Sequence, residues 1–118
     1  MTTDPTKAML DKIMDLSSQR QRVLMHNLAN VNTPGYQRKD MAFQEELAKA
    51  IDQGPQAITA LQPQAATDES APSRLDGNSV QLELELSELQ KNAMWFEMAM
   101  TVKGMRTSLQ KMAVTGRT

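Results

Sequence analysis

The chain has no cysteine, one histidine, one tryptophan, one tyrosine, two phenylalanines and no long apolar run. Each shortage removes a class of protein. Without cysteine there is no disulfide framework and no thiolate chemistry. With aromatics at 3%, a core must be aliphatic and methionine-built. His26 has no acid or second histidine at ligand spacing, so it reads as a surface or half-buried residue and not as a metal ligand. No serine, histidine and aspartate grouping resembles a nucleophilic triad, and no glycine-rich phosphate loop is present. No catalytic, cofactor-binding or metal residues are expected. The longest apolar stretches are far too short to span a bilayer. The first ten residues lack the basic start and apolar run of a cleavable signal peptide. Thirteen basic against fourteen acidic residues give a net charge of −1, which offers no electrostatic reason to bind nucleic acid or to insert at a membrane.

What remains is a chain of 118 residues, one domain or less, 40% hydrophobic and with ten methionines. Methionine fills irregular contacts and adapts to several partners, which suits packing between subunits. A plain helical core would also use it.

Three parts are legible. Residues 1–31 hold a helix from about residue 6. Met9, Leu10, Ile13, Leu16, Val23, Leu24, Leu28 and Val31 fall at spacings of three and four, with Arg20 interrupting the stripe. Asp4 followed by Pro5 is a helix start. Residues 32–52 hold a turn and a short helix over Met41–Ile51, with Phe43, Leu47 and Ile51 on one face. From Gln53 the composition shifts to Gln, Ala, Pro, Ser and Thr. Such a stretch buries too little apolar area to offset its ordering entropy, so 53–77 reads as a linker, flexible over 53–74. Residues 78–118 hold the second long helix. Asn78 is its expected N-cap, with Gln81 completing a capping box.

The last helix carries Leu82, Leu86, Leu89, Ala93, Phe96, Met100 or Ala99, Val102, Met105, Leu109 and Met112. Val80–Leu86 alternates with period two and alone would read as a strand; the longer three-four pattern favours helix. Gly104 weakens that helix by about 1 kcal/mol and marks a close contact or a bend. Acids precede bases in both long helices, from Asp11 and Asp15 to Arg20 and Arg22, and from Glu83, Glu85 and Glu88 to Lys103, Arg106 and Lys111. This follows the macrodipole preference, and antiparallel pairing would set opposite charges against one another. The expected fold is all-α, two long terminal helices pairing antiparallel in coiled-coil fashion. Leu24, Leu28, Leu82, Leu86, Leu89, Trp95, Phe96 and Met100 are the candidates for packing between subunits. Trp95, Phe96, Met98 and Met100 wrap around the helix, which fits contact with more than one partner or a small three-helix core.

The most specific local signal is Asn27-Leu28-Ala29-Asn30-Val31-Asn32-Thr33-Pro34-Gly35-Tyr36. Pro34 fixes φ at the second position of a type II turn and Gly35 supplies the positive φ at the third. Thr33, before proline, is pushed out of the helical region. Asn27 and Asn30 either cap the helix end or bond across subunits. The segment resembles the N-terminal signature of the flagellar axial proteins, the rod, hook and associated subunits. Gln19–Leu24 leads into it and Arg38–Phe43 follows it as in those proteins. Leu75-Asp76-Gly77-Asn78-Ser79-Val80-Gln81-Leu82-Glu83 and Glu88–Ala93 resemble the proximal-rod (FlgB) branch of the family, with Asp76, Gly77, Asn78 and Val80 forming the entry to the last helix. Trp95-Phe96 departs from the Arg-Tyr-type pair usual there.

The resemblance implies a structural, non-enzymatic subunit of the proximal rod in the periplasm, exported by the flagellar type III apparatus without a cleavable signal peptide. Implied partners are FlgC-type and further rod subunits, a FliE-type adaptor at the ring base, the export apparatus, and other copies of the chain. Torque transmission follows from polymerisation into a tube. A cytoplasmic export chaperone or adaptor is the alternative; it has little need of the Thr-Pro-Gly-Tyr turn. Apolar stripes with so little chain to cover them predict a fold completed by assembly.

Overall fold

A computed structural model describes residues 5–116. The structure is mostly helical and elongated, 64 × 27 × 20 Å. Helix α1 spans Pro5–Ala29. Proline suits the first helical position because its φ is preset and no N–H is left unpaired. The expected Asp4 cap lies outside the described residues. Helix α4 spans Leu82–Thr115, 34 residues or ~51 Å, and stops at Gly116 in the left-handed conformation, φ 70°.

The two helices meet through a ladder of side chains. Lys103 Nζ donates to Asp11 at 2.6 Å, Asn92 Nδ2 to Ser17 O at 2.7 Å, Arg20 to Glu88 at 2.9 Å and Asn27 Nδ2 to Glu85 at 3.3 Å. Partner numbers rise on one helix as they fall on the other, so the helices run in opposite directions. The stripe that α1 buries is half polar: Leu10, Leu16 and Leu24 share it with Ser17, Arg20 and Asn27. Arg20 therefore does not break the seam; it is the seam, because a carboxylate faces it from each side.

The middle of the chain folds back on α1. Helices α2 (Gln44–Gln53) and α3 (Pro55–Thr59) are separated by Gly54, φ 106°, whose N–H bonds back to Ala50 and Ile51 carbonyls. Leu16, Met41, Phe43, Leu47, Ala50 and Ile58 form the apolar core, and Trp95 of α4 closes it edge-on to Phe43 with ring centroids 6.1 Å apart. Strands β1 (Lys39–Asp40) and β2 (Ala66–Thr67) pair antiparallel, Lys39 opposite Thr67.

Four expectations need correction. The stretch from Gln53, read as a linker, carries α3 and β2, and Ile58 is 1% exposed; Ala57, Ile58 and Leu61 are too sparse to register in composition, but Ile58 belongs to the core and the other two pack against it. The short helix starts at Gln44 and buries Ala50, leaving Ile51 outside, 56% exposed. The last helix starts at Leu82 with Gln81 as N-cap in extended conformation, so the Asn78–Gln81 capping box does not form. A Cβ on Gly104 would meet nothing within 4 Å, so no close contact among the described residues explains that glycine.

Candidate functional site

The two motif segments lie 40 residues apart in sequence and form one structural unit. Thr33–Tyr36 closes a turn, Tyr36 N–H donating to Thr33 O at 3.2 Å, with Gly35 at φ 76°. The chain at 74–80 clamps that turn. Gly35 N–H donates to Asp76 O at 2.9 Å and Ser79 N–H to Tyr36 O at 2.9 Å. Gln37 Nε2 donates to Gly77 O at 2.7 Å and Arg38 N–H to Ser79 Oγ at 2.8 Å. Gly77, φ 81°, sits so close that a Cβ there would lie 3.3 Å from Gly35 Cα. Both glycines are thus fixed by left-handed backbone, and Gly77 by the close approach as well.

Asn78 is the centre of this junction. Its side chain is fully buried. Nδ2 donates to the carbonyls of Asn30, Val31 and Thr33 at 2.9, 3.2 and 2.7 Å, while Oδ1 accepts Val80 N–H at 2.7 Å. The last carbonyls of a helix have no partner inside it. Here the end of α1 is satisfied by an asparagine from the other half of the chain, which is why Asn78 cannot also cap α4. Arg74 adds to the same end, Nη2 reaching Val31 O at 2.6 Å and Nη1 Val80 O at 3.0 Å. Asp76, exposed, accepts the Asn78 N–H at 3.0 Å, a bond that holds its carboxyl below the usual range.

Below the junction lies a buried charged network. Asn27 pairs with the backbone of Lys39 as a strand would, Nδ2 to Lys39 O at 2.6 Å and Oδ1 from Lys39 N–H at 2.9 Å. Tyr36 Oη lies 2.9 Å from His26 Nδ1 and donates to Asn27 Oδ1 at 3.2 Å; burial, then the nearby Glu85 charge, pushes its phenol pKa up. Arg38, 3% exposed, is bound by Glu85, 0% exposed, at 2.5 Å and by Asp68 at 2.6 Å. Arg20 grips Asp40 with two nitrogens at 2.9 and 3.1 Å. Burial alone would raise the Asp40 carboxyl; the bonds and charge of Arg20 outweigh it and hold the group below its ordinary value. Burial would lower the Arg38 guanidinium, and the Glu85 bond reverses that. Asp68 is held low, first by the Ser70 hydroxyl and then by Arg38 against a small burial penalty.

Among the signature residues, then, Asn27, Tyr36, Gly35, Thr33, Asp76, Gly77, Asn78 and the buried Val80 are brought together. Asn30 contributes a carbonyl to Asn78 and its Nδ2 turns back to His26 O at 2.8 Å. Ala29 and Pro34 are exposed at the rim. Sequence reasoning missed Arg74, Arg38, Asp40 and Glu85 as members. A basic residue beside an acid in Arg38-Lys39-Asp40, and Glu85 at an apolar-spaced position, were the available signals.

Of the candidate packing residues, Leu24 is 0% exposed and belongs to the chain's own interior, a correction: it sits on the face that α1 turns inward. Leu28, Leu89, Trp95 and Phe96 are half-buried. Leu82, Leu86 and Met100 are 49–50% exposed. Among the described residues, no group of three or more acidic or histidine side chains is placed to hold a metal ion, and no helix is long and apolar enough to cross a membrane.

No protein-family model matches the chain. It is similar to the flagellar basal body rod protein FlgB of Salmonella typhimurium, 32% identical, with 82% of this chain and 87% of that protein aligned. The FlgB proteins of Escherichia coli (strain K12), 29% identical over the same shares, and of Cereibacter sphaeroides, 30% identical over 86% of this chain and 87% of that protein, are similar too. The alignments run through both motif segments and most of what joins them, and on that ground the chain belongs to the FlgB family of flagellar basal body rod proteins.

Proposed function

We propose that this chain polymerises within the proximal rod, forming part of the tube that carries torque from motor to hook. The observation that carries the reading is the surface of α4. Leu82, Leu86, Met94, Met98, Met105 and Leu109 are each 49–63% exposed, far more apolar surface along one helix than a free monomer needs. The junction of the two motif segments supplies the rigid part. It ties the end of α1 to the start of α4, so that load on one helix passes to the other through buried hydrogen bonds. The role is structural, with no catalytic step.

On this reading the chain reaches the periplasmic rod through the flagellar type III export apparatus without a cleavable signal peptide. Its neighbours are FlgC-type and further rod subunits, a FliE-type adaptor at the ring base, and other copies of itself. Mass spectrometry of washed, detergent-extracted basal bodies tests this. A constant ratio of the chain to other rod subunits is expected. Recovery only from the cytosol with a soluble partner would replace the rod reading by an export chaperone or adaptor.

A further inference from the structure

Beside the junction, α1, Tyr36 and the two short strands border an open cleft of about 290 Å³, lined by Arg22, Val23, His26, Tyr36, Lys39 and Ala65. Arg22 and His26 stand one turn apart on α1, Lys39 comes from β1, and Ala65 precedes β2. Arg22, His26 and Lys39 are exposed. Three of the six lining residues are basic and none is acidic. Neither Arg22 nor the Lys39 ammonium has an ion pair among the described residues, and the contacts of the His26 ring all run through Nδ1.

Buried groups hold this cleft from behind. Asn27, 0% exposed, binds the Lys39 backbone through both ends of its amide, at 2.6 and 2.9 Å. Tyr36 Oη lies 2.9 Å from His26 Nδ1 and donates to Asn27 Oδ1 at 3.2 Å. The imidazole is thus held by one nitrogen, and Nε2 is left for a ligand. Donors carried on a fixed frame cost less ordering entropy when they gather around an occupant.

The nearby acids are already engaged. Arg20 binds Asp40 and Glu88, Arg38 binds Glu85 and Asp68, and Lys91 stands 3.7 Å from Glu88. Glu97 shares a different hollow with Arg22, across the α1–α4 seam, and makes no ion pair with it. Two unbonded cations and an imidazole around one cleft favour an anion. The network behind them sets four carboxylates against Arg20 and Arg38, which opposes a dianion more than a monoanion. The Arg22 guanidinium is a planar fork that matches the two oxygens of a carboxylate. Val23 and Ala65 give apolar walls to a carbon stem. We infer that this cleft binds a carboxylate on a short apolar stem, with Arg22 and Lys39 as its fixed cations and His26 as a third donor. Histidine gains its charge between about pH 8 and pH 5, so binding tightens on acidification. The inference stands apart from the rod role.

His26 is the chain's one histidine, so its ring protons report on the cleft unambiguously in NMR. The full chain is titrated with propionate, and with propionamide as the neutral match. Saturable shifts at the His26 ring and the Lys39 and Ala65 amides are expected from propionate alone. Affinity should be about two- to fivefold higher at about pH 6 than at about pH 8, the range of one exposed ion pair. Arg22→Gln should abolish saturation and leave the fold intact, because Arg22 bonds to nothing else among the described residues. His26→Gln should still bind propionate but lose the pH dependence. Equal shifts from propionamide, or unchanged binding by Arg22→Gln, would overturn the inference. Tighter binding of sulfate than of propionate would overturn the choice of a carboxylate. A blocked Ala-Glu-Ala peptide, set against Ala-Gln-Ala, tells the source of the group. Tighter binding than propionate supports an acidic side chain on a polypeptide, and equal or weaker binding supports a free organic acid.

Discussion

Replacing Asn78 by alanine is expected to be the most damaging single polar truncation in this chain. The side chain is fully buried and makes four short contacts, three from Nδ2 to carbonyls at the end of α1 and one to Oδ1 from Val80 N–H. Alanine removes every one. Two well-formed Nδ2 bonds contribute about 1 kcal/mol each, and the buried Val80 N–H left without an acceptor adds about 1–3 kcal/mol. The sum is a loss of about 3–5 kcal/mol, comparable to the whole stability of a marginal small domain. Urea unfolding of the full chain, followed by circular dichroism at the helix band, measures it. The midpoint should fall with little change in slope, since the same surface is exposed on unfolding. Asn78→Asp should be no better: it keeps the acceptor for Val80 but turns a carboxylate oxygen toward three carbonyls. Asp76→Ala, which removes an exposed acceptor beside it, should be mild. A loss under about 1 kcal/mol for Asn78→Ala would refute the claim that this asparagine joins the two halves.

Gly77→Ala should destabilise more than Gly35→Ala. Both force a side chain into positive φ, about 1–2 kcal/mol, but only the Gly77 Cβ would press on another backbone, at 3.3 Å; equal melting-temperature losses would contradict this. Stability should fall on acidification. Asp40 and Asp68 have folded-state pKa values below their unfolded ones, so their contribution is present above about pH 4 and is lost as pH falls through the depressed folded values; a urea midpoint flat between pH 7 and pH 3 would show that these bonds contribute nothing net. Glu85→Gln should cost about 3 kcal/mol by leaving Arg38 short of its main counter-charge, and the double change Arg38→Met with Glu85→Leu should recover part of that; a double mutant as unstable as the two losses added would rule out the coupling.

The relation between sequence and structure differs from one element to the next. Both long helices were legible because their apolar spacing persists for many turns, longer than any competing pattern. The Thr33–Tyr36 turn was legible because proline and glycine restrict backbone angles whatever surrounds them. Asn78 misled for an equally local reason: three residues before Gln81 it fits a capping box, and nothing nearby reveals that α1 needs its amide more. Ile58 was invisible in a stretch poor in apolar residues, since one buried side chain hardly moves a composition. Leu24 and Leu82 look alike in the pattern, yet one is interior and the other half exposed.

The sequence by itself determined what depends on neighbours a few residues away: helix, turn and the family signature. Only the tertiary structure decided which polar groups meet. The pairing of Arg38 with Glu85, the grip of Arg20 on Asp40, and the reach of Asn78 to Thr33 O each join residues from 20 to 47 positions apart. Such pairs exist only once the chain has folded back and removed water from between them, and no local spacing encodes that.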